Sequence, residues 1–127
     1  MAIQREITVK LGNSPGTLSR VSQLLGAERI NMVAMSIDPS GHLRMVVDNP
    51  LHAASTLRDQ HYNVDERDVL YTVMPNEPGS LSRALRLLGE AGINVEYAYA
   101  SGIDRVPMVG VVIAVADPQK ASYVAGI

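Results

Sequence analysis

The octet Asn13-Ser14-Pro15-Gly16-Thr17-Leu18-Ser19-Arg20 returns 63 residues later as Asn76-Glu77-Pro78-Gly79-Ser80-Leu81-Ser82-Arg83. At the same offset Leu24-Leu25-Gly26 meets Leu87-Leu88-Gly89, and Ile30-Asn31 meets Ile93-Asn94. A match of this length at a fixed period marks a duplicated supersecondary unit. Farther on, Asp48-Asn49-Pro50 aligns with Ala116-Asp117-Pro118 at an offset of 68, so the second copy carries five extra residues. These read as a longer hairpin loop, residues 101–107, in place of the compact turn Asp38-Pro39-Ser40-Gly41. The 127 residues therefore divide into two very small units, 1–68 and 69–127, instead of one ordinary domain.

Each copy predicts the same string of elements. Ile7, Val9 and Leu11 alternate with Glu6, Thr8 and Lys10, the period of a half-buried strand. A helix follows, with Pro15 expected in its first turn and Leu18, Val21, Leu24 and Leu25 on one face. Its counterpart presents Leu81, Ala84, Leu85, Leu88 and Ala91. Residues 32–37 with 43–48, and 95–100 with 108–115, read as hairpins. A second helix opens at each Asx-Pro, with Asn49 or Asp117 as N-cap, Pro50 or Pro118 at the first helical position, and a modest apolar face of Leu51, Ala54 and Leu57 in the first copy. Residues 62–67 supply a closing strand. The order β-α-β-β-α-β predicts an α+β fold of two tandem ferredoxin-like units, each an antiparallel sheet with its helices on one face.

The second copy has nine residues after Pro118, so its last strand is missing from the pattern. The strand at Val69–Met74 is then expected to leave an open edge unless another segment or another chain covers it. Val69, Tyr71 and Val73 stand where the first copy has Glu6, Thr8 and Lys10, and residues 109–116 are apolar on both faces. A sheet apolar on both sides is buried on both sides, so a homodimer or higher homo-oligomer is expected. Tyr97 and Tyr99 fit either a core or an interface.

Composition removes several function classes. Without Cys there is no disulfide scaffold, thiolate zinc site or thiol nucleophile. The longest apolar run, 108–116, is too short for a membrane span, and residues 1–6 lack an apolar signal core, so a cytoplasmic protein is expected, with no membrane partner. A net charge of −2 without a basic cluster, Phe or Trp argues against nucleic acid. His42, His52 and His61 lack ligand or nucleophile spacing, so no metal, cofactor or catalytic residue is expected, and the chain reads as no enzyme.

The chemistry-bearing feature is the start of the first helix in each copy. A helix start offers free N–H groups and a positive dipole end, and Gly16 and Gly79 let a ligand approach the backbone, so a small carboxylate fits there. Asn13 and Asn76 add amides able to bond carboxylate or ammonium, and Asn31 and Asn94 are expected at the same end of the unit. Asn-x-Pro-Gly is equally ordinary turn and capping chemistry, and that reading stays open.

These residues, together with Gly89-Glu90-Ala91-Gly92-Ile93-Asn94-Val95, the weaker Gly26-Ala27-Glu28-Arg29-Ile30-Asn31-Met32 and the Asx-Pro helix openings, resemble the ACT domain family in its stand-alone tandem form. The resemblance covers nearly the whole chain. It implies βαββαβ units, a free amino acid bound where two ACT units pair, and a regulatory role. The implied ligand contacts are Asn13, Pro15, Gly16, Thr17 and Leu18 with Asn31, and Asn76, Pro78, Gly79, Ser80 and Leu81 with Asn94. Members of this kind usually complete the eighth strand, which this sequence does not. At the expected cap position Ser14 is a good neutral N-cap, whereas Glu77 is a poor cap whose charge opposes a bound carboxylate, so unequal sites are expected. The competing expectation is a protein-interaction module that uses the open edge of the second unit, with purely structural loops.

Overall fold

In a computed structural model the described residues are 2–101 and 105–125. The elements run β1 (Ala2–Lys10), α1 (Thr17–Ala27), β2 (Met32–Ile37), β3 (His42–Val47), α2 (Pro50–Asp59), β4 (Val64–Pro75), α3 (Ser80–Glu90), β5 (Tyr97–Ser101), β6 (Met108–Ala114) and α4 (Pro118–Ala125). The chain forms two compact units, one of residues 5–67 and one of 68–127 with residues 1–4. Among the described residues no helix is long and apolar enough to cross a membrane.

In the first unit the strand order is β2-β3-β1, with β4 following β1. The pairs β1/β3 and β2/β3 are antiparallel, with Ile7 opposite Met45, Val9 opposite Leu43 and Met35 opposite Met45. Period-two alternation places Ile7, Val9, Leu43, Met45 and Val47 on one face, where Val21 and Leu25 of α1 and Ala53, Ala54 and Leu57 of α2 close the core. Leu51 points elsewhere, 81 % exposed. The apolar face of α2 is therefore Ala53, Ala54 and Leu57: Ala54 and Leu57 lie where expected, and Ala53 takes the place expected of Leu51. The opposite sheet face carries Thr8, Lys10, His42 and Arg44, none of them buried, but also Glu6 opposite Val46, both of which are buried.

The second unit repeats the plan with β4-β6-β5, again antiparallel. Leu70 and Met74 of β4, Val111 and Ile113 of β6, Leu88 of α3 and Ala121 of α4 form its core. Tyr97 and Tyr99 pair with Ala114 and Val112, on the face away from that core, and their rings stack with centroids 6.4 Å apart. They do not complete the helix-side core. A final strand after α4 is not among the described elements. The expected closing strand of the first copy and opening strand of the second are one continuous strand, β4, with no turn between them. β1 is the neighbour of β4 in the strand order, and residues 2–4 of β1 group with the second unit.

Helix starts separate into two kinds. Asn49 caps α2 as expected, its side chain accepting from His52 N at 3.3 Å with Pro50 at the first helical position. Asp117 does the same for Lys120 N at 3.0 Å. Asn49→Ala leaves a helix-start donor without this acceptor and is expected to cost about 1 kcal/mol, measured as a lower urea midpoint at unchanged slope. The first helices begin differently from the expectation. Pro15 precedes α1, and the cap position belongs to Gly16 and Gly79, at φ 87° and 89°, with no side-chain cap bond. Ser14 and Glu77 are therefore not the cap residues, and the Glu77 carbonyl accepts from Ser80 N at 3.3 Å across the turn. Pro-Gly is the central pair of a type II turn, where Pro supplies φ near −65° and Gly the positive φ, so the helix starts one residue after the glycine.

Candidate functional site

Both turns are held by the chain's own groups. In the first, Thr17 Oγ1 donates to Gly12 O and Ser14 O, each at 3.2 Å, and Arg20 N closes the first helical bond to Gly16 O at 3.0 Å. Leu18 is half-buried against the first core. Asn13, Pro15 and Gly16 are exposed. The loop is tied to the β2–β3 turn by Leu11 N–Gly41 O at 2.8 Å, and a cavity of about 430 Å³ opens between them, lined by Asn13, Ser14, Thr17, Ile37, Asp38 and Pro39. In the second, Asn76 Nδ2 donates to Val106 O at 3.0 Å and its N–H to Pro107 O at 2.9 Å, which commits part of the amide to the longer hairpin loop. Ser80 is buried, accepting from Arg83 Nη2 at 3.3 Å, while Pro78 and Gly79 are exposed and Leu81 is 45 % exposed.

Asn31 and Asn94 are not at this end. Asn31 N donates to Asp48 Oδ1 at 3.1 Å, and Asp48 N to Asn31 O at 3.1 Å, beside the Met32–Val47 end of the hairpin. Lys10, next to the Asn13 loop, lies opposite His42 at the other end of the same sheet. Asn94 borders a separate cavity of about 260 Å³ with Glu96, Asp117 and Lys120. The expectation that these asparagines join the helix-start loops within a unit is thus corrected. An 11-residue helix advances about 16 Å, and the residue that follows it emerges at the end it has reached.

Beside the Asn13 loop stands a charged turn that the sequence registered merely as a tight connection. Asp38 Oδ1 accepts from Ser40 Oγ at 2.6 Å and from His42 N at 3.1 Å, and Oδ2 accepts from Arg44 Nη1 at 3.1 Å. Ser40 Oγ also lies 2.8 Å from His42 Nδ1. The Ser40 hydroxyl first, then the His42 amide, and after them Arg44, hold the Asp38 carboxyl well below the ordinary carboxylate range, against an opposing effect of desolvation. Because the folded pKa is the depressed one, the contribution is complete above the unfolded value of about 3.9 and is lost as pH falls below it. The stability gap between the wild type and Asp38→Asn is therefore expected to be larger at pH 5 than at pH 3, measured by urea unfolding at both. Arg20, which holds the same place in the repeated octet as Arg83, and His61, set aside for its spacing, border a further cavity of about 480 Å³ beside the same loop. Among the described residues no three His, Asp or Glu side chains are placed to hold a metal ion.

A family model described as an ACT domain pair matches residues 1–124. Protein BT0572 from Bacteroides thetaiotaomicron is 31 % identical, with TM-score 0.88 over 98 % of this chain and 87 % of that one. The regulatory subunit of aspartate kinase from Thermus flavus shares 18 % identity with TM-score 0.68 over 98 % of this chain and 90 % of its own. Aspartokinase III of E. coli, in a complex with lysine and aspartate, shares 13 % identity and TM-score 0.61 over 98 % of this chain but 31 % of its own length. At those two identities the likeness is one of fold. No curated protein matches the chain. Two copies of a βαββ-type unit, in register with a model that spans nearly every residue, place the chain in the family of ACT domain pairs.

Proposed function

We propose that this chain is a non-enzymatic, cytoplasmic regulatory module that binds a free amino acid through its ACT-like units, 1–68 and 69–127. The ligand carboxylate meets the helix starts at Asn13, Pro15, Gly16, Thr17 and Leu18, and at Asn76, Pro78, Gly79, Ser80 and Leu81. The observation that carries this reading is the Pro-Gly turn before α1. With Gly16 as cap and no side chain on its cap position, the N–H groups of the first turn keep their outward side for a ligand. Nothing stands within 4 Å of where a Cβ on Gly16 would be. The Asn13 loop and Asn31 lie at opposite ends of the first unit's sheet, which favours a ligand that takes these contacts from two paired ACT units in a homo-oligomer. Val73 and Met108, 55 % and 47 % exposed, add an apolar surface suited to such pairing. The competing reading, strand addition at the edge of the second unit, loses support because residues 2–4 already group with that unit.

Thermal denaturation in the presence of each of the twenty amino acids tests the reading. A ligand at 100 times its Kd stabilises the native state by about 2.7 kcal/mol, a shift of several degrees. One or a few amino acids are expected to raise the Tm, and no shift with any of them overturns the proposal.

A further inference from the structure

The two copies differ at one place that the repeat makes comparable. In the second copy Arg83 turns back over the loop. Its Nη2 lies 3.6 Å from Glu77 Oε1 and 3.3 Å from Ser80 Oγ, and its Nη1 lies 3.6 Å from where a Cβ on Gly79 would be. Both side chains of this ion pair are more than half exposed, so its worth is its geometry and not its energy. It demonstrates that a carboxylate beside this turn reaches the arginine three residues into the helix. In the first copy the arginine is kept as Arg20, but the position of Glu77 is Ser14 and that of Ser80 is Thr17, whose hydroxyl is spent on Gly12 O and Ser14 O. The space beside Gly16 is empty.

That empty space belongs to a cavity of about 480 Å³ bounded by Ser14, Thr17, Arg20, Gln60, His61 and Tyr62, with no acidic residue among its lining. His61 enters from the end of α2. It occupies the position just past the helix, where His61 N–Arg58 O at 2.9 Å and Tyr62 N–Leu57 O at 3.1 Å close a Schellman turn, and it holds a left-handed φ of 67° that glycine usually supplies. The cavity thus has a guanidinium and an imidazole, hydrogen-bond donors at its rim, and no anion of its own.

We infer that the Arg20–His61 cavity is a subsite for a second anionic group on the ligand, so that the first unit selects an acidic, dicarboxylic amino acid. This rests on the amino-acid reading of the adjoining loop. The α-carboxylate takes the helix start, and the side-chain carboxylate takes Arg20 in the manner that Glu77 takes Arg83, with His61 as a further donor. A cavity with cationic lining and no internal carboxylate also disfavours a basic ligand.

Isothermal titration of the full chain with aspartate, glutamate, asparagine, glutamine, succinate and inorganic phosphate tests the inference on the wild type, Arg20→Met, Ser14→Glu and His61→Gly. Arg20 and Ser14 are exposed, and His61→Gly relieves a strained backbone, so all three variants are expected to fold, as thermal unfolding will check. Aspartate or glutamate is expected to bind the wild type and to lose about tenfold or more in affinity in Arg20→Met. Ser14→Glu, which gives the first unit the carboxylate that the second already has, is expected to lose as much, and His61→Gly less. Equal binding of acidic and neutral amino acids with Arg20→Met unaffected overturns the inference and leaves the amino-acid reading intact. No binding by any of the six ligands overturns it as well. Succinate binding that depends on Arg20, with no amino acid bound, upholds the anion subsite and overturns the amino-acid reading. Phosphate binding as tightly as aspartate or glutamate overturns the selection of a dicarboxylic amino acid.

Discussion

Leu88→Ala is expected to destabilise the protein by about 3 kcal/mol, within the range of roughly 2–5 for a fully buried leucine. Leu88 has no exposed surface, and it packs with Leu70, Met74, Val111, Ile113, Val115 and Ala121. Among the described residues this core is smaller than that of the first unit, and it contains no aromatic side chain. A small core has few neighbours able to collapse into a void, so both the lost transfer free energy and the cavity are felt. The equilibrium urea midpoint is the measurement, and Leu87→Ala is its control. Leu87 is 38 % exposed on the same helix, and its truncation is expected to cost under about 1 kcal/mol.

Gly41→Ala is expected to cost about 2 kcal/mol, for a backbone reason. Gly41 has φ 90°, and a Cβ there would stand 2.5 Å from Leu11 O, a main-chain atom that cannot rotate away. The substitution adds left-handed strain of about 1 kcal/mol to a collision that breaks Leu11 N–Gly41 O, whose loss costs about 1 more. Leu11 leads directly into the Asn13 loop, so the same change is expected to weaken amino-acid binding at the first unit. Gly12→Ala separates the two effects. Gly12 lacks a positive φ and has nothing near its Cβ position, so urea unfolding is expected to find that variant within about 0.5 kcal/mol of the wild type. Unchanged stability in Gly41→Ala would show that the turn is not held as described.

Much of the fold was legible because it is written in patterns that depend on near neighbours along the chain. Alternation at Ile7 and Val9 gives a strand face, spacing at Val21 and Leu25 gives a helix face, and Asn49-Pro50 and Asp117-Pro118 are local capping chemistry. Even so, Pro15 was misread, because Pro at a helix start and Pro in a type II turn are the same dipeptide until Gly16 takes its positive φ. On α2, Ala54 and Leu57 face the core as expected but Ala53 and not Leu51 completes the face, since a short helix rich in alanine has little hydrophobic contrast to fix its rotation.

The sequence by itself determined the duplication, the order of elements in each copy, the residue types of the two Asn-x-Pro-Gly loops and their inequality at Ser14 and Glu77. These follow from composition and spacing, which the linear chain carries completely. Direction was decided by the tertiary structure. Asn13 precedes a helix and Asn31 follows it, so the helix that links them in sequence holds them apart in space. Conversely, residues about 40 apart in the chain, Arg20 and His61, border one cavity because α2 ends beside the start of α1. Spacing along a chain reports how far the backbone has travelled. Which residues share a cavity depends on how many times it has reversed.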